Sequence, residues 1–253
     1  MIVRSDAVVL RAIEYGETSQ IVTLYTRRHG QITVMAKGAR RPKSRFGSSL
    51  QPISYVQVVY YYKPERGLQT LKETTHIQVL HGIRGDMAKI TAGLRMVELA
   101  RVLSHDQEQN VLFFTLLVQS LLRLDAADER AGNVLPYFQL RLAAILGFSP
   151  DIDRDAVLAL GDDGGVLDLE TGAVLPGFAS LKTGLRAARA ALRAFAIFAR
   201  ADLDAVMRLA LDDDLRAEVY RLVDAFLRHH VEDAFPHRVS KVASQLEAPS
   251  RNG

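Results

Sequence analysis

The chain has no cysteine. That excludes a disulfide framework and any thiolate metal site, and it suits a reducing compartment. Nothing in the sequence approaches the roughly 20 uninterrupted apolar residues of a membrane span. The first residues, MIVRSDAVVLRAIEYGE, carry a charge every few positions, unlike the apolar core of a secretion signal. Loops that cradle phosphates are missing as well, since neither GxxxxGK[ST] nor GxGxxG occurs, and GxSxG and HExxH are also absent. The seven histidines, at positions 29, 76, 81, 105, 229, 230 and 237, form no ligand pair at helical spacing. His229 and His230 are adjacent and leave one helix in different directions. Asp151, Asp153 and Asp155 open like a calcium loop but lack the glycine and closing glutamate such a loop needs. These absences predict a cytoplasmic, non-enzymatic protein with no membrane association and no metal or cofactor.

What is present is a core-forming chain of 253 residues, 48% hydrophobic, with unevenly distributed charge. Residues 1–80 hold twelve Lys and Arg against five Asp and Glu, net +7, whereas the other 173 residues carry net −4. Most of the excess lies in VMAKGARRPKSRFGSSLQP, where Lys37, Arg40, Arg41, Lys43 and Arg45 fall within nine residues without an acid. A run of like charge repels itself, so it is either solvated or meets a polyanion.

The segments Ala7 to Tyr15, Gln20 to Thr26, Gln31 to Lys37, Ile53 to Lys63 and Leu68 to Val79 are rich in β-branched and aromatic residues. Turn signals separate them, and the third alternates, with Ile32, Val34 and Ala36 on one face. Five short strands without room for crossover helices predict a small antiparallel barrel, an OB-fold, over residues 1–81. After His81-Gly82 the period becomes helical, over Asp86 to Ser104, Glu108 to Leu124 and Asn133 to Leu146, with Gly147 and Pro150 as a stop. The fold class is therefore β followed by α: a barrel, a helical domain in two parts (82–150 and 178–246), and a small hairpin insert (151–177). Helices are expected from Phe178 to Arg200 and from Leu215 to Phe235, and a disordered tail over 247–253.

The loop carries the functional signal. Its glycines, prolines and serines predict an irregular, mobile backbone whose cations follow phosphates. Phe46 lies inside the run and is a candidate for stacking on a base. Tyr55, Tyr60, Tyr61 and Tyr62 follow, and alternation sends Tyr61 to the face opposite Tyr60 and Tyr62, so at least one faces outward. A second basic stripe, Arg186, Arg189 and Arg193, falls in one sector of the Phe178 to Arg200 helix beside Leu185, Leu192 and Phe195. That edge is a candidate site for an acidic, apolar peptide. Three readings stay open from the residues: a DNA-binding protein, an RNA-binding OB module of RNA processing or translation, and a scaffold with a solvated loop.

The stretches VVLRAIEYGETSQIVTLYT and VMAKGARRPKSRFGSSLQP, with VLPYFQLRLAAILGFSPDID further on, resemble the bacterial recombination mediator family RecO. The resemblance runs in order along the chain. It implies an OB-fold that binds single- and double-stranded DNA, followed by a helical domain. It further implies a nucleoid-associated protein of recombinational repair that anneals complementary strands without nucleotide hydrolysis. With RecR, it would help load RecA onto DNA coated by single-strand-binding protein (SSB). Lys37, Arg40, Arg41, Lys43 and Arg45 are then the expected DNA contacts, and the arginine edge the expected site for the SSB tail. Many members carry a four-cysteine zinc site in the insert. Here no cysteine exists, and the insert is expected to be metal-free, held by Val166, Leu167, Leu169 and Val174, with Asp155 near a lost ligand position.

Overall fold

The computed structural model describes residues 1–177, 179 and 182–234. Two compact units are present, Met1–Ala127 and a second beginning at Asp128. The expected tail (247–253), together with Phe178 and Leu181, lies outside the described residues.

The first unit opens with β1 (Ile2–Tyr15), β2 (Ser19–Thr26), β3 (Gly30–Ala36), β4 (Tyr55–Tyr61) and β5 (Leu68–Gln78). They form a closed barrel in the order β1-β2-β3-β5-β4. Closure is made by a parallel pairing of Thr33, Val34 and Met35 with Leu68, Gln69 and Thr70, as an OB-like barrel requires. β1 is long because it serves two neighbours: its first half pairs with β4 and its second with β2, and its register shifts between Val9 and Arg11. Around that bend Ala7, Val8, Val9 and Leu10 are all buried. The strand starts at Ile2 rather than at the expected Ala7. Buried Ser5 holds an inward position there, so the apolar alternation is masked in sequence.

β3 alternates as expected, with Ile32, Val34 and Ala36 inside. The turn before it is built by Thr26, whose hydroxyl accepts from the His29 N–H at 3.0 Å and donates to the Gly30 carbonyl at 3.0 Å. Gly30 has φ +59°, and a Cβ there would lie 1.8 Å from the Glu108 carbonyl oxygen, so both backbone conformation and space demand glycine.

Helices α1 (His81–Arg84), α2 (Met87–Leu103) and α3 (Val111–Ala126) follow. Asp86 caps α2 by accepting from the Ala88 and Lys89 N–H groups, and Asn110 caps α3 by accepting from that of Phe113. The Tyr25 ring on β2 packs 4.9 Å from that of Phe113. The change of period after residue 81 therefore does not end the compact unit, which runs on through these helices to Ala127.

The second unit contains α4 (Val134–Ile145), α5 (Arg154–Leu158), β6 (Gly165–Asp168), β7 (Val174–Pro176), β8 (Gly184–Ala187), α6 (Arg189–Arg200), α7 (Leu203–Val206) and α8 (Asp213–Ala234). Phe138, Phe195 and Phe226 of α4, α6 and α8 are fully buried in its helical core. The insert is a three-stranded sheet, β7-β6-β8, in which Val166, Leu167 and Val174 are buried and Leu169 is half-buried.

One expected element is corrected. The helix placed from Phe178 begins only at Arg189, and Gly184–Ala187 is instead an edge strand pairing Leu185 with Leu167 and Arg186 with Val166. Leu, Arg and Ala are good helix formers, and four residues are too few to separate period 2 from period 3.6.

Candidate nucleic-acid interface

The basic loop joins β3 to β4. Its backbone is a series of turns, with the Arg41 N–H donating to the Gly38 carbonyl at 3.2 Å and the Ser44 N–H to that of Arg41 at 2.9 Å. A turn of 3-10 helix, Gly47–Leu50, completes it. The loop is thus more ordered than its composition suggests.

Two residues pin it to the barrel. Arg40 pairs with Glu14 at 3.0 Å and donates to the Gly16 and Glu17 carbonyls at 3.3 Å each, while its own N–H reaches the Thr18 carbonyl at 2.9 Å. The YGE turn and the KGARR loop are therefore one structural feature, although they are more than twenty residues apart in sequence. The other pin is Phe46, which is 3% exposed and belongs to the barrel core. This overturns the expectation that Phe46 stacks on a base. Its ring instead lies 5.1 Å beneath the Arg45 guanidinium, which steadies that cation at the surface.

The remaining cations are displayed. Lys37, Arg41, Lys43 and Arg45 are exposed. No carboxylate among the described residues pairs with any of these four.

Of the tyrosines, Tyr60 and Tyr62 are buried and Tyr61 is 46% exposed, as alternation required. Tyr60 Oη lies 2.6 Å from His29 Nδ1, and burial pushes its pKa up to about 12. The His29 ring stacks on Tyr62 at 3.9 Å, and its pKa is lowered by burial and then by Arg28.

The outer face of the sheet holds a row that sequence reasoning missed. Through directly paired positions, Tyr61, Thr70, Met35, Ile21 and Ile13 lie side by side on β4, β5, β3, β2 and β1. Tyr15 continues the face two residues on from Ile13, and both are exposed. The available signal was a pairing register, which no single strand carries.

A family profile described as Recombination protein O N terminal matches residues 1–80, and one described as Recombination protein O C terminal matches residues 84–238. The chain belongs to the RecO family. A DNA repair protein RecO from Salinibacter ruber is 52% identical over 97% of this chain and 95% of its own. Another of that name, from Chloroherpeton thalassium, is 27% identical over 97% of this chain and 99% of its own. A third, from Bacillus pumilus, is 34% identical over 61% of this chain and 59% of its own. Membership places the chain among proteins of recombinational DNA repair.

The second candidate site of this RecO-family chain changes character. Arg186 lies on β8, so Arg186, Arg189 and Arg193 do not share a helix face. Arg189 pairs with Asp162 at 2.9 Å, Arg193 donates to the Leu158 carbonyl at 3.2 Å, and Arg200 donates to that of Ile152 at 2.9 Å. All three fasten α6 to the insert. In the insert itself Asp168 accepts from Thr171 Oγ1 at 2.7 Å, from Thr183 Oγ1 at 3.2 Å and from the Glu170 N–H at 3.1 Å. Burial alone would raise its pKa, but these hydrogen bonds outweigh it and hold the carboxyl below the usual range. No group of three or more His, Asp or Glu able to hold a metal occurs among the described residues. No described helix is long and apolar enough to cross a membrane.

Proposed function

We propose that this chain is a non-enzymatic mediator that binds single- and double-stranded DNA through the β3–β4 loop and anneals complementary strands. With RecR, it helps load RecA onto SSB-coated DNA. The observation that carries the reading is the display of Lys37, Arg41, Lys43 and Arg45 without carboxylate partners among the described residues, on a loop fixed by Arg40 and Phe46. Four exposed cations on a fixed platform meet backbone phosphates without reading sequence. Two strands repel each other through their phosphates, and cations bound between them lower that repulsion. Bases must stay free to pair, so burial of Phe46 suits annealing better than a stacking Phe46 would. No catalytic group is needed. The SSB tail remains part of this reading as a partner, without the arginine edge as its site.

The test is annealing of bare and SSB-coated complementary strands by wild type and by a variant with Lys37, Arg41, Lys43 and Arg45 changed to Ala, keeping Arg40. The variant is expected to fold, to lose annealing, and to show a salt slope of single-strand binding shallower by about 3, at roughly 0.7 per phosphate contact. Equal annealing by both proteins would sink the loop as the DNA contact.

A further inference from the structure

The same barrel carries a second basic site at its other end. Arg4 on β1 and Arg27 and Arg28 in the β2–β3 turn line a surface cavity of about 450 Å³, together with Ser5, Asp6, Gln57 and Gln109. No apolar side chain among the described residues lines it. The walls are held by backbone: the Arg27 N–H donates to the Asp6 carbonyl at 2.9 Å and the Arg28 N–H to Ser5 Oγ at 3.3 Å. Gln109 closes the third side by donating to the Arg27 carbonyl at 3.1 Å. The three guanidinium groups are left exposed, and none has an ion-pair partner among the described residues. Asp6 is the only carboxylate among the described residues of the lining, so the cavity is net positive.

Guanidinium forks beside carboxamide side chains form the donor set that grips phosphate oxygens. A protein partner would be served by a centre of aliphatic and aromatic side chains with a polar rim, whereas every described residue lining this cavity is charged or polar. Its position adds the second half of the argument. The β3–β4 loop is tied through Arg40 to the turn that precedes β2, whereas Arg27 and Arg28 follow the end of β2. Eight residues of strand separate the two by about 27 Å. A short strand held at one site does not reach the other.

We propose that the Arg4–Arg27–Arg28 cavity binds the backbone phosphates of a second DNA strand while the loop holds the first. This rests on the DNA-binding reading of the loop. One molecule carrying two strands by their backbones makes their encounter intramolecular and raises their effective concentration. It leaves both sets of bases free.

The experiment titrates the full chain with a fluorescent oligothymidylate too short to span the barrel, at protein concentrations far above Kd, and reads stoichiometry. Wild type is expected to bind two strands per chain, R4Q/R27Q/R28Q one strand with unchanged affinity at the loop, and the loop variant one strand. Retained binding at the loop shows that the triple variant is folded. Annealing by the triple variant should fall, and in wild type the second strand should bind with a salt slope of about 2, at roughly 0.7 for each guanidinium contact. Two strands still bound by the triple variant would overturn the proposal, as would a wild type that binds only one. Displacement of the second strand by inorganic phosphate at constant ionic strength would overturn it in favour of a small-anion site. A wild type that binds no DNA would instead refute the reading of the loop on which the proposal rests.

Discussion

The arginines of the β3–β4 loop and those of α6 look alike as sequence, and the structure separates them by what each guanidinium touches. Arg41 and Arg45 face solvent without a carboxylate partner among the described residues. Arg189, Arg193 and Arg200 each hold a group of the insert at 3.2 Å or less. A cation available to a polyanion and a cation fixing a fold have the same charge and opposite uses. Arg40 shows that the division runs inside the loop too, since it clamps the YGE turn beside neighbours that are displayed.

Phe46→Ala tests that contrast most severely. Removing a buried aromatic side chain costs about 3–5 kcal/mol, so denaturant unfolding of the first unit should shift by that order. DNA affinity should fall only as far as the loop loses its platform. Unchanged stability with lost DNA binding would restore Phe46 as a stacking residue.

The quadruple loop variant comes next. Four lost phosphate contacts should lower single-strand affinity by about a hundredfold at moderate salt and leave the unfolding midpoint unchanged. Adding Arg40→Ala should cost less in affinity than any displayed cation, because this guanidinium is already engaged by Glu14 and two carbonyls. Fluorescence anisotropy across a salt series measures both effects.

Much of this was legible in sequence, and the exceptions have three causes. Strand alternation placed β2, β3 and β5 nearly to the residue, and it separated Tyr61 from Tyr60 and Tyr62, although only the structure shows that Tyr61 is the one facing outward. Gly147 and Pro150 marked the end of α4, which closes at Ile145. What alternation cannot reach is an irregular segment: Phe46 sits among turns, where no period assigns a face. Nor does it reach pairs distant in sequence. Glu14 and Arg40 meet because two loops share one end of the barrel, and Arg4 joins Arg27 and Arg28 because β1 pairs with β2. The start of α6 failed for a third reason. Leu185, Arg186 and Ala187 suit a helix locally, and only pairing with β6 makes them a strand.

Asp168 provides a smaller effect with a pH signature. Its carboxyl is depressed in the folded state, so its contribution is present above the unfolded value near 3.9 and is lost as pH falls through the folded value. Asp168→Asn should therefore destabilise the second unit by about 1–2 kcal/mol at neutral pH. The difference from wild type should shrink in acid. Chemical denaturation at several pH values measures it, and a pH-independent difference would mean that packing rather than charge matters at this position.

The smallest effect expected is that of Arg189→Ala with Arg193→Ala, and it decides which kind of cation these are. Arg189 is paired with an aspartate whose side chain is 91% exposed, and such pairs contribute about 0–1 kcal/mol. The double variant should unfold slightly earlier and bind single-stranded DNA as wild type does. Binding of an SSB tail peptide should be unaltered as well, because Arg186 stands on a strand, and Arg189 and Arg193 already reach Asp162 and the Leu158 carbonyl. A loss of peptide binding without loss of stability would show that these arginines exchange their contacts for the peptide, and it would move them to the same side of the comparison as Lys37, Arg41, Lys43 and Arg45.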